Sequence, residues 1–175
     1  MSGQSVYASP DKARCAVCGL FCTSCTFFIA STEDRARLEA LAKRLNLTPE
    51  QVECRGCRSD KLGIYCEKVC NFKKCAEKKG IEFCGQCNDY PCVELKDFQS
   101  KMPHRLQLWE SLEMIKKEGW EKWYMEMVKR FSCPECGTIN SAYDMVCRKC
   151  GHAPSCKYVE CNKSEIEQLG KKLLI

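Results

Sequence analysis

Histidine is nearly absent from this chain, which has only His104 and His152 among its 175 residues. Also absent are a Ser-His-Asp set, a glycine-rich phosphate loop and paired carboxylates with a reason to act together. Such patterns are typical of hydrolases and nucleotide-binding enzymes, so the sequence favours a protein that is not an enzyme. A reactive cysteine stays open, although a thiolate that is bound to metal is a poor nucleophile.

Long apolar runs are missing as well. The longest apolar run, Phe27-Phe28-Ile29-Ala30, has four residues, whereas a membrane-spanning helix needs about 20. The N-terminus lacks a basic segment followed by an apolar one, so no secretory signal is expected. We therefore expect a cytoplasmic protein with no membrane partner, whose thiols are kept reduced.

Cysteine, in contrast, is abundant, and the chain has 18. Six Cys-x-x-Cys units account for twelve of them: Cys15/Cys18, Cys22/Cys25, Cys54/Cys57, Cys84/Cys87, Cys133/Cys136 and Cys147/Cys150. The six others are Cys66, Cys70, Cys75, Cys92, Cys156 and Cys161. Where thiols stay reduced, clustered units of this kind predict metal sites rather than disulfides.

The strongest local pattern lies near the C-terminus. Two units, Cys133/Cys136 and Cys147/Cys150, are each followed by a glycine, which lets the chain turn so that both sulfurs point to one centre. Four thiolates around a tetrahedral ion make a closed structural zinc site. Residues 132–155 are therefore predicted to form a zinc-ribbon-like module.

The remaining cysteines of residues 15–92 number twelve, enough for three four-thiolate sites. Grouping by position along the chain gives Cys15/Cys18/Cys22/Cys25, then Cys54/Cys57/Cys66/Cys70, then Cys75/Cys84/Cys87/Cys92. If residues 15–25 were helical, the first four thiols would span about 15 Å along one face, beyond the reach of one ion. Either this stretch is not helical, or its two pairs serve two metals, and both alternatives remain open.

The metal in residues 15–92 is predicted to be zinc, with iron–sulfur clusters as the alternative, because four thiolates suit either. Bacterial ferredoxins carry a Cys-x2-Cys-x2-Cys-x3-Cys-Pro run, which this chain lacks. Glycine follows Cys18 and Cys84, which favours zinc knuckles. The predicted function is a non-enzymatic zinc-binding protein whose metal sites are structural centres for a protein-interaction or accessory role. The alternative is an iron–sulfur electron-transfer or redox-accessory protein with a structural zinc ribbon.

The net charge of +5 is a weak argument for nucleic acid as a partner. Each divalent ion held by four thiolates carries −2, so four such sites would bring the chain to about −3. Between Cys54 and Lys79 there are eight basic residues against three acidic ones, and we interpret them as counter-ions of the metal centres. Another protein is the expected partner, and nucleic-acid binding is the least favoured function.

Helix signals fall between the cysteine clusters. They predict an amphipathic helix over residues 31–45 with a Ser31 cap, a short helix capped by Thr48, and a helix over residues 70–79 that Gly80 ends. A helical hairpin is expected from Pro103 to Phe131, and a tail helix from Ser164. The predicted fold class is a small metal-stabilised α+β protein of mostly short helices and cysteine-rich loops, with a helical hairpin and a C-terminal zinc ribbon.

The predicted organisation has five parts. A flexible lead-in covers residues 1–14, a cysteine-rich metal-binding domain residues 15–92, and an aromatic hairpin packed on that domain residues 93–131. The zinc-ribbon-like module covers residues 132–155, and a tail with a short helix residues 156–175. His104 and His152 are expected at the surface. Cys156 and Cys161 are interpreted as structural or exposed thiols, with weak binding alongside His152 or a site shared with a partner as alternatives.

An ordered series of motifs resembles the DUF3795 family. The motifs are Cys18-Gly-Leu-Phe-Cys22-Thr-Ser-Cys25, Cys54-Arg-Gly-Cys57-Arg, Lys74-Cys75 to Cys84-Gly-Gln-Cys87, and Asn88-Asp-Tyr-Pro-Cys92. The resemblance covers about residues 15–131, and Cys15 and Cys66 lie outside the family's pattern. It implies a cysteine-rich protein of prokaryotes or archaea that binds metal, and it implies no particular activity.

Overall fold

Helices and turns make up the part of the chain that the computed structural model describes, which is residue 7, residues 9–99 and residues 101–173. The α-helices are α1 (Thr26–Thr32), α2 (Arg35–Leu45), α3 (Pro49–Val52), α4 (Ile64–Lys68), α5 (Phe72–Lys79), α6 (Val93–Phe98), α7 (Leu108–Glu118), α8 (Trp120–Phe131), α9 (Lys157–Cys161) and α10 (Lys163–Leu173). None of them combines the length and the apolar character that crossing a membrane requires. Half of the predicted lead-in, residues 1–6 and residue 8, lies outside the described residues.

The β component of the predicted fold class is not confirmed. Within the described residues there is no sheet, and the isolated antiparallel bridges there join Cys15 to Phe21 and Ser132 to Ile139. Each bridge closes a tight turn around a cysteine pair, and the chain then leaves without extending the ladder. The mostly helical character and the cysteine-rich loops are confirmed, whereas the strands of a zinc ribbon are not.

The helix predicted over residues 31–45 is two helices. Asp34 caps α2 by accepting a hydrogen bond from the backbone N–H of Arg37 at 3.0 Å, so α2 begins four residues later than predicted. Ser31 instead belongs to α1, where its hydroxyl donates to the Phe27 carbonyl at 2.7 Å. The same hydroxyl accepts from the backbone N–H of Cys54 at 2.8 Å, which attaches a cysteine loop to α1.

Other helix ends lie where the sequence signals placed them. The Gln51 side chain accepts from the backbone N–H of Thr48 at 2.9 Å and so fixes the start of α3. Gly80 ends α5 with a φ of +63°. Gly119 (φ +90°) forms the corner between α7 and α8. The predicted start at Pro103 is wrong, because Pro103 opens a separate 3-10 turn and α7 begins five residues later, at Leu108.

The largest buried cluster draws side chains from both ends of the chain. Phe21 lies edge-on to Tyr124, with 5.3 Å between ring centroids, and also contacts Trp123 and Phe131. Phe131 stacks on Tyr158 at 4.5 Å, and the Tyr158 hydroxyl donates to the Pro103 carbonyl at 2.6 Å. The aromatic stripe of α8 is therefore core, and it joins the cysteine-rich N-terminal part to the C-terminal tail.

Polar contacts also hold the C-terminal module against α1 and α2. Arg37 makes two hydrogen bonds to the Asp144 carboxylate, at 3.0 and 3.3 Å, and Arg148 pairs with Glu33. The Arg37 and Asp144 side chains are only 21% and 12% exposed, so this ion pair is partly shielded from water. The module consequently has a defined place beside the N-terminal helices.

Candidate metal centres

The two cysteine knuckles of the C-terminal module are built alike. The N–H of Cys133 donates to the Thr138 carbonyl at 2.8 Å, and the N–H of Gly137 donates to the Cys133 carbonyl at 2.9 Å. In the second knuckle, Cys147 bonds to the His152 carbonyl and Gly151 to the Cys147 carbonyl at the same two distances. Both glycines have positive φ, +69° and +75°, which L-residues rarely adopt.

These knuckles bring four sulfurs together. The Sγ atoms of Cys133, Cys136, Cys147 and Cys150 all lie within 4.8 Å of one another. The Cys133–Cys150 and Cys136–Cys147 Sγ separations are both 3.6 Å. Zinc–sulfur bonds of about 2.3 Å place the sulfurs of a tetrahedral site about 3.8 Å apart, so this donor set fits one zinc ion.

Asn140 supports the four sulfurs and was not predicted. This fully buried side chain donates to the carbonyls of Thr138 (2.9 Å) and Ser155 (3.1 Å), and it lies 3.7 Å from Cys147 Sγ. Its Oδ1 accepts from the backbone N–H of Arg148 at 3.1 Å. An asparagine between two knuckles carries no sequence pattern of its own, because its partners are backbone groups that only the fold brings near.

Protons are unevenly shared among the four thiols. Burial acts against the Cys147 thiolate, but N–H donors from Cys150 and Lys149 outweigh it and lower the pKa of Cys147 to about 6. The pKa of Cys150 is raised to about 12 because burial and three neighbouring thiols outweigh the N–H of His152. A divalent cation would replace the shared protons and stabilise all four sulfurs as thiolates.

Cys15 lies apart from the other predicted ligands. Its side chain is fully buried in the cluster that contains Phe21 and Trp123, and its thiol donates to the Asp11 carbonyl at 3.4 Å. Burial raises the pKa of Cys15 to about 12, and the charged groups that act on it include Arg58 and Asp11 rather than another cysteine. The thiol is thus packed like a small core side chain, and its role as a metal ligand stays a prediction.

A second set of cysteines surrounds Cys18. The Sγ of Cys57 accepts from the backbone N–H of Val17, and Cys18 and Cys57 share a buried cluster with Leu112. Burial raises the pKa of Cys18 well above its usual value, and the neighbouring thiols of Cys57, Cys84 and Cys70 raise it further. The backbone N–H of Cys84 donates to the Val17 carbonyl at 2.8 Å, which holds residues 84–87 against this turn.

A third set lies on either side of α1. The backbone N–H of Cys57 donates to Cys22 Sγ at 3.4 Å. Burial raises the pKa of Cys22, and the thiols of Cys57, Cys25 and Cys54 add to the shift. The pKa of Cys66 is raised to about 12 by burial, with Cys54 as its strongest thiol neighbour.

The fourth set surrounds Cys84, and its four cysteines are all half-buried. Burial raises the pKa of Cys84 to about 12, with further contributions from Cys92, Cys75 and Cys87, the same four that chain order groups together. Lys79 Nζ lies 3.1 Å from Cys87 Sγ and 2.5 Å from the Asp89 carboxylate. Lys79, one of the eight basic residues between Cys54 and Lys79, thus places a positive charge beside a predicted ligand. Arg58, another of the eight, donates to the backbone carbonyls of Cys15 and Glu82 instead.

The two regions differ in how closely their sulfurs approach. Among the described residues, Cys133, Cys136, Cys147 and Cys150 form the one group of three or more candidate ligands whose donor atoms all lie within 4.8 Å. The thiols of residues 18–92 converge enough to shift one another's pKa but not to single-ion distances.

The remaining candidates have structural surroundings. His104 Nδ1 lies 2.7 Å from the Tyr143 hydroxyl, and burial lowers the pKa of His104 to about 3. His152 contributes its carbonyl to the second knuckle. Cys156 is buried and Cys161 is exposed, so the two thiols do not share one environment.

The fold and these sites define a small, mostly helical, cysteine-rich protein with one four-cysteine cluster that suits a metal ion. Residues 14–97, a little under half of the chain, match the family described as "Protein of unknown function (DUF3795)". The resemblance found in the sequence is thereby confirmed for this segment. No curated protein and no solved structure matches the chain.

Proposed function

We propose that this chain is a non-enzymatic metal-binding protein whose C-terminal module holds one zinc ion as a structural centre. The observation that carries the proposal is the group of four sulfurs within 4.8 Å of one another, with separations of 3.6 Å that suit a tetrahedral ion. The site is closed by four protein ligands, which is the arrangement of structural rather than catalytic zinc.

Metal analysis of the module tests this proposal. Cys136→Ser should remove about one zinc per chain, and hydrogen exchange should rise over residues 132–155 because the knuckles lose their shared centre. Cys161→Ser, which changes an exposed thiol outside the cluster, should keep the full zinc content. Equal zinc in both variants would refute the structural zinc site.

The metal would also fix a surface for a protein partner. Tyr143 and Val146 lie between the two knuckles and are 41% and 52% exposed, although both are apolar. A photo-crosslinking amino acid in place of Val146 should therefore trap a protein partner in cells. The same probe in place of the exposed Lys122 of α8 is the control, and equal crosslinking at both positions would contradict an interaction surface on the module.

A second candidate function is electron transfer or redox support by iron–sulfur clusters in residues 15–92. The observation that favours it is the spacing of these thiols, which is wider than the ligands of one ion allow. Cluster ligands bind different iron atoms across a core of several atoms and therefore stand further apart. Protein purified without oxygen should then be brown, and its colour should bleach with dithionite. Colourless protein that contains only zinc would exclude iron–sulfur clusters and favour the structural zinc protein.

A further inference from the structure

The cysteines of residues 15–25 point to different neighbours because the chain turns sharply at Gly19. Ala16 and Leu20 are joined by a backbone hydrogen bond of 3.0 Å, and Gly19 has a φ of +86°. This turn leaves Cys18 in the cluster around Leu112. The chain then enters a 3-10 turn, Cys22–Ser24, in which the carbonyl of Cys22 accepts from the N–H of Cys25 at 2.9 Å. Side chains three residues apart in a 3-10 turn lie side by side, so Cys22 and Cys25 form a pair.

Two contacts bring Cys54 and Cys66 towards this pair. The backbone N–H of Cys54 donates to Ser31 Oγ at 2.8 Å, and this hydroxyl donates in turn to the carbonyl of Phe27, two residues after Cys25. Gly63 lies against Cys54 so closely that a Cβ on Gly63 would be 3.4 Å from Cys54 Sγ. Gly63 immediately precedes α4, the helix that carries Cys66, so the start of this helix is held beside the Cys54 thiol.

Cys57 is adjacent to the same group but its thiol faces elsewhere. Its backbone N–H donates to Cys22 Sγ, which leaves its side chain free to lie near Val17, whose N–H donates to Cys57 Sγ. Cys57 also packs in the buried cluster that contains Cys18, and Cys22 packs against the same cluster. We assign the Cys57 thiol to the group around Cys18 because its Sγ contacts Val17, the residue before Cys18, whereas its backbone N–H donates to Cys22.

The Cys54 thiol interacts with both Cys25 and Cys66, and the neighbouring Cys57 interacts with Cys22 and Cys66.

We propose that Cys22, Cys25, Cys54 and Cys66 form one centre that holds an iron–sulfur cluster. The inference rests on the second candidate function above. A polynuclear cluster suits the site better than a single ion, because hydrogen bonds hold the loops of these cysteines together while, in the described structure, no three of their sulfurs lie within 4.8 Å of one another. The N–H groups of Cys57, Phe27 and Phe28 would donate to the cluster's sulfur ligands, as donors around such clusters do.

The experiment compares variants of the full chain, purified without oxygen, by iron and acid-labile sulfide content. Cys25→Ser and Cys66→Ser should each lose the iron of the same single cluster, and the double variant should lose no more than either one. Combining Cys25→Ser with Cys75→Ser should lose more, because Cys75 neighbours Cys84 rather than Cys54. The exposed Cys161→Ser is the matched control and should lose none.

Two results would overturn the assignment. If the Cys25→Ser and Cys66→Ser losses add, the two thiols belong to different centres, although the protein still holds clusters. If the wild-type chain contains zinc but no iron or sulfide, the second candidate function itself fails and the cluster with it.

A measurement on the wild-type chain avoids variants that do not fold. During gradual cluster removal by a chelator and oxidant, iodoacetamide should label Cys22, Cys25, Cys54 and Cys66 in one phase. Cys133, Cys136, Cys147 and Cys150 should become labelled in a different phase. Labelling of Cys66 in a phase separate from Cys25 would contradict the shared centre.

Discussion

Gly56 lies where the loop with Cys54 and Cys57 passes the backbone of Ala13. Its φ is +110°, and a Cβ there would be 2.7 Å from the Ala13 carbonyl oxygen. Backbone cannot yield as a flexible side chain can, so both strain and a clash follow from any substitution. This single position fixes how closely the cysteine loop approaches the N-terminal segment.

Replacing Gly56 should destabilise the protein far more than replacing another glycine with positive φ. Gly56→Ala is expected to lower the free energy of unfolding by on the order of 3 kcal/mol. Gly80→Ala, at φ +63° with no atom within 4 Å of its Cβ, should cost only about 1 kcal/mol. Urea unfolding of the metal-loaded variants measures both, and equal losses would show that the Ala13 contact is unimportant.

His104 should make stability depend on pH. Its pKa is about 3 in the folded protein because burial, and then Arg105, disfavour the charged ring, whereas the unfolded value is about 6.5. The unfolded chain therefore binds an extra proton below about pH 6.5, and stability falls as pH decreases from there towards 3. Wild type should lose stability between pH 7 and 5 more steeply than His104→Gln, in urea titrations at each pH. Parallel curves would contradict the buried neutral histidine.

At the scale of elements, Tyr158 is a main contact between α9 and the α7–α8 hairpin. Tyr158 stacks on Phe131 of α8, is 3% exposed, and donates its hydroxyl to the Pro103 carbonyl. The short helix therefore connects the end of the C-terminal module to the turn before α7.

Tyr158→Phe should keep the ring stacking and lose the hydrogen bond. Because the buried Pro103 carbonyl would be left without that donor, the free energy of unfolding should fall by about 1–2 kcal/mol. Tyr65→Phe, on a side chain that is 44% exposed, is the control and should change stability by less than about 0.5 kcal/mol. Thermal or urea unfolding decides, and equal effects would argue against the Pro103 contact.

A helix end could be predicted from the sequence where the residues that form it are neighbours along the chain. It could not be predicted where a contact with a distant residue decides it. Gly80 and the Thr48-Gln51 pair act through neighbouring backbone groups, so their patterns are sufficient. Ser31 was assigned as a cap, but its hydroxyl bonds to Phe27 and receives the N–H of Cys54, a partner that is distant in sequence. Asp34, three residues further along, caps the helix instead, because its carboxylate accepts from the backbone N–H of Arg37.

The candidate site shows the same division. The module could be predicted because both knuckles lie within eighteen residues and their glycines set the turns. For residues 15–92, spacing alone could not assign partners, since it does not show the turn at Gly19 or the close approach of Gly63 to Cys54. The packing of Cys15 beside aromatic residues could not be predicted because Trp123, Tyr124 and Phe131 come from α8, more than a hundred residues away.

At the scale of the whole molecule, metal loading should change the net charge. The metal-free, reduced chain should focus near the sequence pI of 8.4. With zinc in the module alone the formal charge of +5 becomes about +3, whereas four thiolate centres bring it to about −3. Isoelectric focusing of the loaded protein below pH 7 would therefore support metal throughout residues 15–92. Focusing above pH 8 would limit the metal to the module.

The ring of Phe21 has a consequence for how the chain can be divided. Phe21 belongs to the segment 14–97 that matches the family, but Trp123, Tyr124 and Phe131, which surround it, lie beyond that segment. The segment that matches the family is thus smaller than the unit that buries this ring. A polypeptide of residues 14–97 alone would leave Phe21 without these three aromatic partners, so in this chain the hairpin completes the core of the matched segment.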